Sequence, residues 1–462
     1  LLRKNRGNPV GEFVRSVFVA ASIAAAFLCV TARGAKTDSA AVPLFRLDLV
    51  LADVPANSGS SAYWPTMDQS KSLALSFSEA TGVCMQLATV GIRSPVARLG
   101  AITGLELGRI FLDNYLPFGI TWMHEEFHRA VLSNRGIFSY DGIYDFNPDI
   151  TQLNVYHVSD EALENLKAEH PEELVRCEAA GYEAQVDLAE ALLQDGMMHG
   201  APFIEPSALY SLFSMSFYLW FNTTSEADEE TREFNAKETT VDQRDVVGWD
   251  FSAWAYDLHR PEEPYAARGV HPGGLGINRY ILWSQLTPAE QSYLRLQAAL
   301  SLVNFARPQL YGVAPWRAGL LGEHVEFTAG LRHYLTPFGC EVGVITEMRA
   351  GNAGLVASAN AFCNGRIALP GIDCTFLDLP LGGPASLLSW SPRLALWLQP
   401  KGQRFDSEAA QAGVLTSQRL DVRLSSASSA YAEIEAKSGG WVAGTVSLGP
   451  ALALRVGSVL AF

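Results

Sequence analysis

Apolar positions in this chain follow two different periods, and the change comes near residue 319. From about 70 to about 310 they recur at three- and four-residue spacing, the mark of helices with a buried stripe. The clearest segments are Ala97 to Leu112, Thr121 to Leu132, Pro171 to Leu193, Ser207 to Phe221 and Pro288 to Phe305. Ser207 to Phe221 is apolar almost throughout but too short to cross a bilayer, so it predicts a buried core helix. The acidic stretch Ser225 to Asp245 and the Pro/Gly-rich stretch Arg260 to Gly276 predict exposed loops.

After Gly319 the period shortens to two. Alternating segments separated by turn residues run over His324 to Leu335, Glu341 to Arg349, Leu355 to Cys363 and Ser386 to Leu398. They continue over Thr416 to Leu424, Tyr431 to Lys437, Trp441 to Leu448 and Ala451 to Phe462. About eight antiparallel strands fit a small up-and-down barrel, the preferred reading, or a sandwich. Phe45 to Leu51 also alternates and predicts a strand that pairs with the first C-terminal strand or packs on the helical region. The expected fold class is α+β, a mainly helical domain over 35–318 followed by an antiparallel β domain over 319–462.

Residues 1–34 read as an export signal. Arg3, Lys4, Arg6 and Arg15 precede the apolar run Val17 to Val30, and Ala32-Arg33-Gly34 offers a small-x-small cleavage site. The chain carries a formal charge of −15 and has no basic stripe or phosphate-cradling glycine loop, which argues against a nucleic-acid partner. Cys84, Cys177, Cys340, Cys363 and Cys374 are too widely spaced for a dense disulfide scaffold. Cys363 and Cys374 could close a small loop in an oxidising compartment, or stay as two buried thiols.

The chemistry concentrates in His124-Glu125-Glu126-Phe127-His128. Residues four apart on a helix lie one above the other, so both imidazoles can face one metal ion, with Glu125 beside them as a proton acceptor. Trp122, Met123, Phe127, Val131 and Leu132 make this helix mostly buried, and buried His and Glu need partners that a metal supplies. A surface helix with solvated His and Glu is the alternative.

The HExxH pattern resembles the zincin metallopeptidases. Thr121 and Ala130 suit the extended family pattern, while Glu126 and Arg129 occupy positions that are usually uncharged. Asn134 stands where metzincins carry a third histidine, which leaves the gluzincin type, whose third ligand is a glutamate from a later helix. Glu183 is the expected ligand, since Glu183-x-x-x-Asp187 looks like the ExxxD element of some gluzincins. Ala179 and Ala180 let two helices pack closely there, and Asp187 would orient a ligating histidine. Glu178 is the alternative ligand, and His157, His170 and His199 have no spacing to recommend them.

The resemblance implies zinc held by His124, His128 and Glu183, Glu125 as general base, and a peptide or protein substrate; Tyr182, next to Glu183 in sequence, is a candidate oxyanion donor by that proximity alone.

A second resemblance comes from the last segment. Leu452, Leu454, Val456, Leu460 and Phe462 share one face, and Arg455 and Gly457 the other, ending on an aromatic as bacterial outer-membrane barrels do. It implies an exported protein of the outer membrane or periplasm, with the bacterial outer membrane as partner. The competing expectations are a non-enzymatic barrel protein with a helical plug, or a helical zinc enzyme joined to a soluble sandwich.

Overall fold

The computed structural model describes residues 46–55, 63–113, 116–145, 154–201, 204–320, 323–382 and 386–461. The expected signal over 1–34 and the terminal Phe462 lie outside them. The α+β class holds: helices fill the first part of the chain and one antiparallel sheet the rest.

Strand β1 (Arg46–Pro55) precedes helices α1 (Met67–Thr89), α2 (Pro95–Asp113) and α3 (Ile120–Asn134). A small hairpin of β2 (Tyr140–Asp141) and β3 (Val155–Tyr156) leads to α4 (Asp160–Glu169) and α5 (Pro171–His199). Then come α6 (Ile204–Phe221), α7 (Ser225–Lys237), α8 (Asp250–His259) and α9 (Pro288–Ser301). The acidic stretch expected as loop thus contains α7, whose carboxylates cluster in the first turn where the helix dipole favours them.

Helix α5 is the central post. Pro171 stands in its first turn, and Gly200 ends it in the left-handed conformation that lets a helix stop without a Cβ penalty. It packs against α3, α6 and α8 on one side and against the sheet on the other.

The sheet adds β4 (Trp316–Leu320), β5 (Glu323–Thr336), β6 (Gly339–Ala350), β7 (Ala353–Cys363) and β8 (Ala368–Leu377). It continues with β9 (Leu379–Pro380), β10 (Leu388–Pro400), β11 (Ala410–Arg423), β12 (Ser428–Lys437) and β13 (Ala451–Ala461). These strands meander, each beside the next except that β8 lies beside β10 and the short β9 pairs only with β10, and β1 joins at the far end on β13. Among the described residues the 11-stranded sheet is not closed: β1 and β4 are its edges, so the expected closed up-and-down barrel is not formed.

Strand β4 spans residue 318, and β1 belongs to the same sheet. Three expectations are revised here. The early strand pairs with the last strand, Arg46 opposite Ala461, rather than with the first, and it also packs on the helical region, as its alternative had it. Trp441 to Leu448 is not a strand but an inward-folded loop between β12 and β13. Cys363 faces Cys340 across the ladder, whereas Cys374 faces Ala357 and Leu394.

An exposed strand edge must be covered or charged. At β1 the cover is α1: Ser72 donates to the Asp48 carbonyl and accepts from the Val50 amide at 3.2 Å, and Ser76 reaches the Asp48 carbonyl at 3.4 Å. Serines on that face allow helix and strand to approach closely.

The two faces of the sheet differ in kind. The inner face is charged and paired. Arg332 donates to Glu341 at 2.7 Å, Arg393 to Asp373 at 2.7 Å, and Arg455 lies among Asp53, Asp68, Glu433 and Glu435. The outer face is apolar and exposed, with Ile372, Leu394, Leu396, Ile434, Leu454 and Val456. Helix α2 is inverted in the same sense. Arg109 is buried between Glu106 and Asp113 at 2.5 Å, while Val96, Leu105, Phe111 and Leu112 face outward.

Candidate metal centre

Helix α3 places His124 and His128 one turn apart, as the spacing requires, with ring centroids 4.9 Å apart. Both lie in the core of the helical region. The His128 Nδ1–H donates to the Cys177 carbonyl of α5 at 2.6 Å. That bond fixes the tautomer and leaves the Nε2 lone pair free to bind a cation. The Nδ1 of His124 lies 3.4 Å from the Gln185 amide nitrogen.

Gly181 is the point where α5 passes the His124 ring. A methyl placed there would lie 2.1–2.5 Å from three ring atoms. Gly181→Ala is therefore expected to push the helices apart, costing about 1–3 kcal/mol of stability. It should also weaken metal binding, and thermal unfolding together with metal content would check both.

The third member of the cluster is Asp250, the first residue of α8. Its Oδ2 lies 3.2 Å from His124 Nε2 and 3.5 Å from His128 Nε2. Tight geometry upstream puts it there. Gly248 has φ +72°, and any Cβ on it would strike the Arg279 carbonyl and Tyr280 at 2.9 Å, so the chain turns into α8 on a glycine. The Asp250 amide then donates to the Tyr218 hydroxyl at 3.3 Å.

The group fits a cation. Asp250 Oδ2 is buried and meets no hydrogen-bond donor in good geometry, which is costly unless a cation serves it. Ligand atoms of His124, His128 and Asp250 all lie within 4.8 Å of one another, and these three residues can hold a metal ion.

The surroundings are rich in carboxylates. Burial, then the charges of Asp141, Asp245, Asp250 and Glu126, push Glu125 well above the usual carboxylate range. Burial and the charge of Asp250 bring Asp245 up to about 7. Burial would raise Asp250 too, but the imidazoles of His128 and His124 overcome it and hold the carboxyl low. Burial lowers His124, whereas at His128 the Asp250 carboxylate outweighs burial and raises it. A bound divalent ion would be the natural counter-charge for this cluster.

The other sequence-predicted residues are placed elsewhere. Glu183 is not brought to the histidines. Its Oε1 accepts from Arg176 at 2.8 Å and from the Gly444 amide at 2.8 Å, and its Oε2 accepts from Trp441 Nε1 at 3.0 Å. Glu178 and Asp257 both pair with Arg268, and Asp257 also pairs with Lys167 at 2.6 Å. Asp187 pairs with Lys71 at 3.1 Å, not with a ring N–H. The Tyr182 hydroxyl contacts His333 at 2.9 Å and Asn304 at 3.2 Å, so Tyr218 is the tyrosine beside the site.

These corrections share one cause. Helix α5 turns its Cys177–Gly181–Gln185 face to α3, which leaves Glu183 and Asp187 facing the sheet. Glu126, one of the two unusual charged residues of the motif, accepts from Arg129 at 2.6 Å and from Tyr144 at 2.7 Å. Asp250 carried no spacing signal. Its one local cue is an acidic residue opening an apolar helix, a pattern that capping alone explains. Comparison with protein families, characterised proteins and solved structures finds no match to this chain.

Proposed function

We propose that the protein is a zinc-dependent hydrolase of peptide bonds, carried in a bacterial outer membrane by the outer face of its sheet. The observation that carries the first half is the buried Asp250 Oδ2 facing both imidazole Nε2 atoms, with Glu125 next to His124 in sequence. Two imidazoles and one carboxylate are a donor set that suits zinc and leaves a position for substrate or water. When bound, zinc supplies a Lewis acid that polarises a carbonyl and makes water more acidic.

The chain's own residues do the rest. His128 is oriented by Cys177, and His124 by its packing on Gly181. Glu125 takes a proton from the attacking water and passes it to the leaving amine. Tyr218 accepts from the Asp250 amide and holds the start of α8 in place.

A second reading is favoured by burial. His124, Glu125, His128 and Asp250 are only 7%, 8%, 2% and 5% exposed, which also suits a structural ion tying α3 to α8. The deciding experiment is elemental analysis beside a peptide-hydrolysis assay. About one zinc per chain, lost in Asp250→Asn, is expected. Hydrolysis should stop on chelation and return with zinc. A zinc-loaded protein inactive on a broad peptide mixture would favour the structural ion, and absence of zinc after metal-replete expression would end both readings.

The second half rests on the inversion of polarity. Strands of 10 to 14 residues, β10 to β13, turn Leu394, Leu396, Val414, Ile434 and Leu454 outward while Arg393, Arg419 and Arg455 face inward. That is the pattern a lipid-facing wall requires. Leu396→Arg is expected to destabilise the inserted protein by about 2–4 kcal/mol if the position lies at mid-bilayer. Urea titration in phospholipid vesicles would measure it. Release of the parent protein from membranes by high salt alone would contradict the membrane reading.

A further inference from the structure

Two cysteines face each other at one end of the sheet. In the β6–β7 ladder Cys340 is directly opposite Cys363. Directly opposed residues of antiparallel strands have Cα atoms about 4.5–5.5 Å apart, inside the roughly 4.4–6.8 Å window that a disulfide accepts. Both are free thiols.

The other cysteines are badly placed for either one. Cys374 pairs with Ala357 on β7, six positions along the strand from Cys363, or about 20 Å at strand rise. Cys177 lies in the helical core with its sulfur 3.8 Å from the His128 carbonyl. Cys84 is exposed on α1.

We propose that Cys340 and Cys363 are an oxidisable pair that closes into a cross-strand disulfide by exchange with a small-molecule disulfide. Cys363 is half-buried while Cys340 is buried, so the order of events follows from access. The Cys363 thiolate attacks one sulfur of the oxidant, forming a mixed disulfide and expelling one thiolate. Cys340 then gives up its proton, and its sulfur attacks Cys363 Sγ and expels the second thiolate. Two protein thiols are oxidised, one external disulfide is reduced to two thiols, and the electrons balance.

The location gives the bond a consequence for the fold. It joins β6 to β7 beside α9, the helix that carries Gln297, where the Tyr293 hydroxyl lies against Gly339. Gln297 bonds His333 at 2.9 Å, and His333 contacts the Tyr182 hydroxyl of α5 at 2.9 Å. The dithiol therefore sits at the seam between the sheet and the helices, where strand pairing and helix docking are set together.

The test uses the folded, detergent-solubilised protein with oxidised glutathione as the oxidant. Free thiols are then alkylated and the protein is digested with trypsin without reduction. Cys340, Cys363 and Cys374 fall in separate tryptic peptides, 333–349, 350–366 and 367–393. The expected product is 333–349 joined to 350–366, lighter than the two free-thiol peptides by two hydrogens and split by reductant.

Cys374→Ala should leave that product unchanged, and Cys340→Ser should trap Cys363 as its glutathione adduct. Recovery of 333–349 and 350–366 as separately alkylated peptides would overturn the proposal. So would a link from 350–366 to 367–393, or a Cys340→Ser protein whose Cys363 takes up no glutathione.

Discussion

Glu125→Gln is expected to lower peptide hydrolysis by about 10²–10⁴-fold while zinc stays bound. Glutamine keeps the size and shape of glutamate but cannot take a proton from water at neutral pH. The three residues grouped for the metal, His124, His128 and Asp250, are untouched by the change. Glu125 stands among Asp141, Asp245, Asp250 and Glu126, so removing one carboxylate relieves like-charge crowding. The variant should fold at least as well as the parent, and the loss should appear in kcat rather than in stability. Single-turnover kinetics, elemental analysis and thermal unfolding on one preparation would separate these effects. Parental kcat in a zinc-loaded Glu125→Gln protein would remove Glu125 from the mechanism.

Glu183→Ala should produce the largest loss of stability, about 3–5 kcal/mol, because it breaks a buried ion pair from one side. Arg176 and Glu183 are 0% and 1% exposed, and after the change the guanidinium would keep, among the described residues, only the Val446 carbonyl and the Met67 sulfur as hydrogen-bond partners. The Trp441 Nε1–H and the Gly444 amide would also lose their acceptor. The damage should be concentrated where the 441–446 loop docks on α5, so the sheet and the helical region would come apart at that contact. A lowered midpoint in chemical denaturation, with the zinc content of the folded fraction unchanged, is expected. Zinc loss at unchanged stability would mean that Glu183 is a metal ligand after all. The contrast with Asp250→Asn, which should lose zinc, separates the two acids by role.

Much of the local structure was legible. The HExxH helix runs over Ile120–Asn134, close to the Thr121 to Leu132 read from spacing, because its apolar residues repeat at helical period and a glycine follows. The helix from Pro171 was equally clear, although it continues past Leu193 to His199. In the last strand, Leu452, Leu454 and Val456 are exposed and Arg455 is buried, as alternation required. Trp441 to Leu448 misled because its apolar residues are buried in a loop, where Trp441 packs beside Tyr334 and binds Glu183.

The sequence by itself determined that two imidazoles and a glutamate would lie together on one buried helix, since i, i+4 geometry is local. It also determined which side chains of the long strands share a face, since a strand alternates whatever it pairs with. Only the tertiary structure decided which carboxylate completes the metal group. Glu183 and Asp250 are both acids on buried helices, but the rotation of α5 about its axis turns Glu183 to Arg176 and the sheet, while the Gly248 turn brings Asp250 to the histidines. Tertiary structure also decided that the first strand would sit on the last and that α1 would cover its open edge. The first of these contacts joins residues hundreds of positions apart and the second residues 22 to 28 apart on separate elements, and no periodicity within either segment records them.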